Sequence, residues 1–191
     1  MFIEIIREVI VMFLSRTLIT ESNTQITLQE MLLPKTTLVV LLRQGECIEC
    51  TMMIDAIQKI YTDLVTLDVP IVFIANGEVE SLSRIRNRLA LSTSTILVTD
   101  PTLQIYHDFG LHSSMLATYG PKGLFNIAQG WIQGFYQTRF GNNQAQQSGL
   151  VLFDSNREIQ WIHKSQYLGD LPNVGDILEQ VLLLKVDGVS L

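Results

Sequence analysis

Cysteine is scarce in this chain of 191 residues, which contains two, Cys47 and Cys50. A secreted scaffold held together by disulfides carries more cysteines at wider spacings, so that class is excluded. Basic residues are also few: 13 lysines and arginines stand against 19 acidic residues, the net charge is −6, and no basic run occurs. Nucleic acid is therefore not an expected partner, because its recognition needs a basic patch.

Long uncharged apolar runs are missing as well. Residues 9–14 are apolar, but no run of 18 uncharged apolar residues exists, because the first twenty residues include Glu4, Arg7, Glu8 and Arg16. We therefore expect no membrane span. A signal peptide would begin with basic residues and end in small ones, unlike this segment. We predict an N-terminal helical extension over residues 1–20 and a cytoplasmic location, with a signal anchor as the alternative.

The two cysteines lie between a predicted strand and a predicted helix. Residues 37–43 form a nearly continuous apolar run, as expected for a strand buried on both faces. After the pair, apolar residues recur at helical steps: Met53, Ile57, Ile60 and Leu64. A CxxC pair in this context is typical of a thiol–disulfide redox centre. Both sulfurs would lie in the first helical turn, where a disulfide can form and reopen by exchange.

The remaining pattern predicts an α/β protein. We expect strands over residues 69–75 and 95–99, a helix over 78–91, a helix that begins at Asp100-Pro101 and ends at Gly110, and a helical stretch over 124–136. A β-hairpin over 150–153 and 159–162 and a final helix over 174–184 follow. A βαβ unit followed by a hairpin and a helix predicts a central mixed β-sheet flanked by helices, which is the thioredoxin-like plan.

Two sets of residues resemble a known family. The segment Asp100-Pro-x-Leu-x-x-Tyr-x-x-Phe-Gly-Leu111 resembles one shared by peroxiredoxins and other members of the AhpC/TSA (alkyl hydroperoxide reductase/thiol-specific antioxidant) group. Other motifs are closer to the peroxiredoxin-like proteins related to selenoprotein U and prostamide/prostaglandin F synthase. They are Arg43-x-Gly-x-Cys-x-x-Cys50, Gly149-x-Val-x-Phe153, His163-Lys164 and Gly169-Asp170. This resemblance implies a thioredoxin-like domain over residues 21–187, with a helical insertion before the C-terminal hairpin.

The chain departs from two patterns that the resemblance would suggest. Peroxiredoxins carry Pro-x-x-x-Thr/Ser-x-x-Cys where this chain has Arg43, Cys47 and Cys50, so the proline and the peroxide-binding hydroxyl are absent. Thioredoxins have a cis-proline before the first hairpin strand, where this chain has Gln147-Ser148. These departures favour a second interpretation, a non-catalytic redox sensor or interaction module on the same fold.

The roles of the site residues follow from charge and burial. Helix N–H groups and Arg43 favour a thiolate at Cys47, whereas Glu46 and Glu49 oppose it, so we expect its pKa near the thioredoxin value of roughly 7. The helical pattern turns Cys50 inward and leaves Cys47 at the open end, so Cys47 would attack and Cys50 would resolve. The first position also holds selenium in the related selenoprotein. The peroxiredoxin alignment implies the reverse order, and Arg43 is equally interpretable as a structural ion-pair partner.

Together these features predict a thiol-dependent oxidoreductase that reduces a peroxide or a disulfide through the cysteine pair. It would need no bound cofactor, and a thioredoxin- or glutathione-type reductant would restore the dithiol. A zinc site would require two of the three histidines beside the CxxC, and these are scattered: His107, His112 and His163. We therefore expect no metal.

Two apolar segments point to contacts beyond the domain core. An apolar stripe at helical spacing runs through the N-terminal segment, and we predict a homodimer held partly by residues 1–19; the stripe is Phe2, Ile6, Val9, Ile10 and Phe13. The aromatic residues Trp131, Phe135 and Tyr136 are interpreted as core or as a subunit contact, with a hydrophobic-substrate pocket as the alternative.

Overall fold

The computed structural model describes residues 13–44, 47–88, 90–137 and 143–187. Most of the predicted N-terminal stripe, the predicted charge effect of Glu46 and the residues beyond 187 lie outside these ranges. Among the described residues, no helix is long and apolar enough to cross a membrane.

A seven-stranded sheet organises the described part of the chain, with the strand order β2-β1-β5-β4-β3-β6-β7. Its central strands β3, β4 and β5 are parallel, and the outer pairings are antiparallel. The strands are β1 Thr17–Thr20, β2 Gln25–Thr27, β3 Thr37–Leu41, β4 Ile71–Ala75, β5 Ile96–Thr99, β6 Gly149–Phe153 and β7 Ile159–Lys164. This mixed sheet confirms the predicted α/β architecture, including the C-terminal hairpin.

Helices cover both faces of the sheet. They are α1 Leu28–Met31, α2 Ile48–Lys59, α3 Tyr61–Thr66, α4 Glu80–Arg88, α5 Gln104–Asp108, α6 Met115–Tyr119, α7 Pro121–Ile132 and α8 Val174–Asp187. Alternate residues of β3 enter two cores: Leu38 and Val40 join α2, α4 and α8, while Val39 and Leu41 join α1 and α5. Every residue of β3, β4 and β6 is buried, as expected for strands covered on both sides.

The N-terminal prediction is wrong for Thr17–Thr20, which form β1 rather than the end of a helix. Three of these four residues are β-branched, which favours a strand, and Ile19 pairs with Thr99 of β5. Before β1, Phe13 is helical and buried, with its ring centroid 5.7 Å from that of Phe109. Phe13 therefore packs within its own chain. The domain boundary at residue 20 and the homodimer stay predictions.

The helix predicted to begin at Asp100 begins later, at Gln104. Leu103 adopts a left-handed conformation with φ of 61°, which interrupts the backbone before the first turn. The Asp100 carboxylate still caps this end, because it accepts backbone N–H groups from Thr102 at 3.0 Å and Ile105 at 2.8 Å. The predicted stop is confirmed, since Gly110 follows the helix with φ of 67°.

Candidate redox site

Cys47 and Cys50 lie where the chain passes from β3 into α2. Cys47 is the N-cap residue of α2, and its Sγ accepts the backbone N–H of Cys50 at 3.2 Å. The Sγ of Cys50 accepts the backbone N–H of Gln44 at 3.4 Å. The two cysteines are joined as a disulfide, with their Cα atoms 5.3 Å apart. The predicted order of strand, CxxC pair and helix is thus present, with both sulfurs at the first turn of α2.

Neither sulfur is open to solvent. Cys47 is 0% exposed and Cys50 is 1% exposed, so the prediction that Cys47 lies at an open end is wrong. One reason is that α7 of the insertion packs against α2. A Cβ added at Gly130 of α7 would lie 2.7 Å from Cδ1 of Ile48, the residue next to Cys47. Helical periodicity reveals the inward face of α2, but it cannot reveal that a second helix covers the outward face.

Arg43 is also buried, with 1% of its surface exposed. Its Nε donates to the backbone oxygen of Gln144 at 3.1 Å, and its Nη2 contacts the same oxygen. Burial lowers the pKa of the Arg43 guanidinium, while the charge of Glu49 and a hydrogen bond to Tyr119 raise it. Among the described residues, its guanidinium hydrogen bonds go to oxygen partners rather than to a sulfur. The structure therefore places Arg43 in a buried polar cluster with Gln144, Tyr119 and Glu49.

Glu49, between the two cysteines, is predicted from the sequence as a charge that opposes the thiolate, but the sequence interpretation missed that it is buried. Its side chain is 0% exposed, and its Oε1 accepts the hydroxyl of Ser148. Burial raises the pKa of the Glu49 carboxyl; the Ser148 hydrogen bond, Arg43 and the backbone N–H of Gly169 oppose the rise. A signal was available, because Glu49 precedes the buried Met53 by four residues and so shares its helical face.

Two serines connect Glu49 to the end of the β6–β7 hairpin. The hydroxyls of Ser148 and Ser165 are 2.8 Å apart, and the hydroxyl of Ser165 is 2.9 Å from the backbone oxygen of Asp170. His163 contacts that same oxygen through Nε2 at 2.9 Å, and Trp161 stacks beside its ring. Ser148 directly precedes β6, so a chain of polar side chains links Glu49 to the end of the hairpin.

No group of three or more potential metal ligands occurs among the residues that the structure describes. The predicted helical insertion is present as α6 and α7, which begins with Pro121 at its first turn. Trp131 is 56% exposed and Tyr136 is also exposed, so the interpretation of these residues as core is wrong. The subunit contact and the hydrophobic-substrate pocket remain predictions.

Solved structures with the same fold were found, while no protein-family model and no curated protein matches the chain. A peroxidoxin, BcpB, from Mycobacterium tuberculosis has a TM-score of 0.63 at 12% identity, over 88% of this chain and 92% of its own. The bacterioferritin comigratory protein of Xanthomonas campestris, whose structure was solved to study alkyl peroxide reduction, has a TM-score of 0.62 at 12% identity, with coverage of 93% and 94%.

A third similar structure is that of dsbF from M. tuberculosis, solved in mixed oxidised and reduced forms. Its TM-score is 0.56 at 12% identity, with 90% of this chain and 96% of that chain covered. The predicted thioredoxin-like fold is thereby confirmed. At these identities the likeness concerns the fold, and the selenoprotein U-like branch stays a prediction.

Proposed function

We propose that the chain is a thiol-dependent oxidoreductase that reduces a peroxide or a disulfide through Cys47 and Cys50. The observation that carries the proposal is the disulfide at the N-terminus of α2, directly after a central strand of a thioredoxin-like sheet. The solved structures that share this fold include a peroxidoxin, a protein studied for alkyl peroxide reduction and a protein solved in oxidised and reduced forms. This likeness supports the same chemistry.

Cys47 is the proposed nucleophile. In the disulfide its Sγ accepts the N–H of Cys50 at the N-terminus of the helix, an environment that also favours a thiolate there. Arg43, four residues before Cys47 in the chain, is the proposed second source of positive charge. Cys50, which lies one turn further into α2, is the proposed resolving residue. The peroxiredoxin alignment gives the opposite order, so the order is a separate point to test.

The cycle balances with a thiol reductant, either one dithiol of the thioredoxin type or two molecules of a glutathione-type monothiol. The Cys47 thiolate attacks a peroxide oxygen, the O–O bond breaks, and an alcohol or water leaves as Cys47 becomes a sulfenic acid. Cys50 then attacks the Cys47 sulfur and expels water, which forms the disulfide. With a disulfide substrate, Cys47 first forms a mixed disulfide and Cys50 displaces the second thiol. The reductant supplies two electrons and restores both thiols.

Turnover measurements test the proposal. Purified wild type, Cys47→Ser and Cys50→Ser should be compared for reduction of hydrogen peroxide, an alkyl hydroperoxide and glutathione disulfide. We expect Cys47→Ser to lose turnover, and Cys50→Ser to complete one attack and then stop. A sulfenic-acid trap should label Cys47 in Cys50→Ser; labelling of Cys50 in Cys47→Ser instead would reverse the order. Equal activity in all three proteins would rule out the enzymatic proposal.

A second candidate is a redox sensor or interaction module. Its supporting observation is a disulfide with almost no exposed surface beneath a helix whose outer face is apolar. It predicts reversible oxidation without steady turnover, together with a change of shape or oligomeric state. Measurable turnover with identical elution of oxidised and reduced protein in size-exclusion chromatography would exclude this candidate.

A further inference from the structure

One face of α7 is apolar although it is turned to solvent. At about 100° per residue, five residues of this helix fall within an arc of about 120°. The buried positions Gly123 and Gly130 lie outside this arc. An apolar stripe of this width normally covers a protein core. We call the stripe the α7 face; its members, all exposed, are Leu124, Phe125, Ala128, Trp131 and Ile132.

The exposed apolar surface continues onto α6. Leu116 is 78% exposed, close to the 80% of Ile132. A Cβ added at Gly120, directly before α7, would lie 3.5 Å from Cδ1 of Leu116, and Leu116 and Pro121 line the same groove. An exposed apolar surface that extends over two neighbouring elements is typical of a site that binds a protein or a membrane.

The sequence around the α7 face contains no acidic residue. Acidic residues occur on average once in ten positions, 19 in 191, yet none occurs from residue 109 to residue 153. Apart from histidine, the charged residues of that stretch are Lys122 and Arg139. The segment that forms α6 and α7 is therefore cationic, within a chain of net charge −6. Such a surface is complementary in charge to an anionic bilayer, from which the rest of the chain is repelled.

Lys122 is the cation that α7 itself carries. It lies in the first turn, about 60° around the helix from Phe125. Its Nζ is 4.8 Å from the centroid of the Tyr167 ring. Two grooves flank Lys122, and no acidic side chain lines either of them among the residues that the structure describes. A lysine beside an apolar face can contact a lipid phosphate while its neighbours enter the acyl region.

A bilayer fits the α7 face better than a protein partner does. Protein interfaces carry about one hydrogen bond per 100–200 Å², whereas the indole N–H of Trp131 is the one hydrogen-bonding group on the side chains of this face. Trp131 lies in the last turn of α7, and Tyr136 is exposed shortly after it. Tryptophan and tyrosine concentrate at the boundary between lipid and water, where one end of each ring system is apolar and the other is wet.

We propose that the α7 face, together with Leu116 and Lys122, binds the surface of an anionic lipid bilayer. The helix lies in the plane of the membrane, with its apolar side chains among the upper parts of the acyl chains and the Lys122 ammonium at the phosphates. Gly130, outside the α7 face, contacts Ile48, so α2 stays about 10 Å behind the helix that meets the lipid. The contact needs no cysteine chemistry and is independent of the proposed redox function.

Flotation of the full chain with lipid vesicles tests the proposal. One set of vesicles contains equal parts of phosphatidylcholine and phosphatidylglycerol, and the other contains phosphatidylcholine alone. Wild type should float with the anionic vesicles. Phe125→Gln and Trp131→Gln should each weaken binding about tenfold, and Lys122→Gln about fivefold on the anionic vesicles alone. Leu183→Gln, which replaces an apolar residue of similar exposure on α8, should follow wild type.

Tryptophan emission reports whether the face enters the lipid. The chain has two tryptophans, Trp131 on the α7 face and Trp161 in β7. Acyl chains that carry bromine should quench the emission of wild type. Trp131→Phe keeps an apolar ring at this position, so it should still float with the vesicles but lose the quenching.

Four results would overturn the inference and leave the proposed redox function intact. The first two are a wild type that does not bind anionic vesicles and α7 variants that bind them as tightly as wild type. The third is binding without quenching, which would show that the α7 face does not enter the lipid. The fourth is a lower sedimentation mass for Phe125→Gln without vesicle binding by wild type, which would identify a second copy of the chain as the occupant. The replaced side chains are exposed, so the melting temperature of each variant should match that of wild type.

Discussion

Gly130 of α7 lies against Ile48 of α2, the residue next to Cys47, and Gly130→Ala tests whether this contact keeps the cysteine pair covered. An added Cβ would lie 2.7 Å from Cδ1 and 3.0 Å from Cγ1 of Ile48, and 3.2 Å from Sδ of Met52. The contact with Cδ1 is too short, so either Ile48 or α7 must move. Ile48 is 1% exposed and has little room, whereas Met52 is partly exposed and can shift.

The expected cost follows from two opposing effects. Overpacking of a buried contact costs roughly 1–3 kcal/mol, while alanine in place of glycine within a helix stabilises it by about 0.5–1 kcal/mol. We therefore expect Gly130→Ala to lower the free energy of unfolding by about 1 kcal/mol, or the melting temperature by about 2–4 °C. If α7 must move before a reductant reaches the sulfurs, the same change should speed disulfide reduction about fivefold.

Urea denaturation and a double-mutant cycle with Ile48→Val provide the assay. Valine lacks Cδ1, the atom nearest to the added Cβ, and the single change should cost about 1 kcal/mol. In the double variant the alanine methyl occupies part of the space that Cδ1 leaves. The double variant should therefore cost about 1 kcal/mol less than the sum of the two single changes. Ala128→Gly, at an exposed position of the same helix, measures helix propensity alone. Additive costs, or a stabilising Gly130→Ala, would show that the approach of α7 to Ile48 does not hold the cover in place.

Three further predictions concern stability and assembly. Because the pKa of Glu49 is raised above 4.5, the native state binds its proton more tightly than the unfolded state, so stability falls as the pH rises from about 4.5 through the raised pKa. Glu49→Gln should remove this fall in urea titrations at pH 4–8. The same dependence of the free energy of unfolding on pH in wild type and variant would contradict the prediction. Tyr106→Phe should lower the free energy of unfolding by about 1–2 kcal/mol, because the Tyr106 hydroxyl lies 2.7 Å from the backbone oxygen of Leu42 and 2.9 Å from that of Ile74. Tyr61→Phe, at an exposed position, should cost little in the same urea assay. A variant lacking residues 1–12 should sediment as a monomer if the predicted homodimer depends on that segment, and an unchanged mass would refute that dependence.

The main parts of the fold could be predicted because local patterns determine them. The continuous apolar runs of β3 and β4 are readable as buried strands. The apolar steps from Met53 to Leu64 mark the buried face correctly, but the structure divides the predicted helix into α2 and α3 at Ile60. Thr17–Thr20 was mispredicted because an apolar segment next to a helix carries no sign of the strand that it will pair with. That pairing with β5 joins residues about 80 positions apart in the chain, as in Ile19 and Thr99.

The cysteine pair could be located from spacing, but its surroundings could not. The exposure of Cys47 depends on where α7 lies, and the burial of Glu49 depends on Ser148, which bonds to it from the end of the hairpin and in turn contacts Ser165. These contacts join segments about 100 residues apart, which no periodicity encodes. The exposure of Trp131 has the same cause, because the buried positions of α7 are its glycines, Gly123 against α6 and Gly130 against α2, rather than its aromatic residues.

The most direct measurement is a mass-spectrometric count of thiols on the peptide that carries Cys47 and Cys50. Reduced wild type is treated with one equivalent of peroxide or glutathione disulfide, alkylated, and compared with the same sample after a dithiol reductant. A redox-active pair predicts that both thiols disappear together into one intramolecular disulfide, that they return together on reduction, and that either serine variant prevents this. Two thiols that remain alkylatable after the oxidant, or a disulfide that no dithiol reopens, would contradict the proposed redox function.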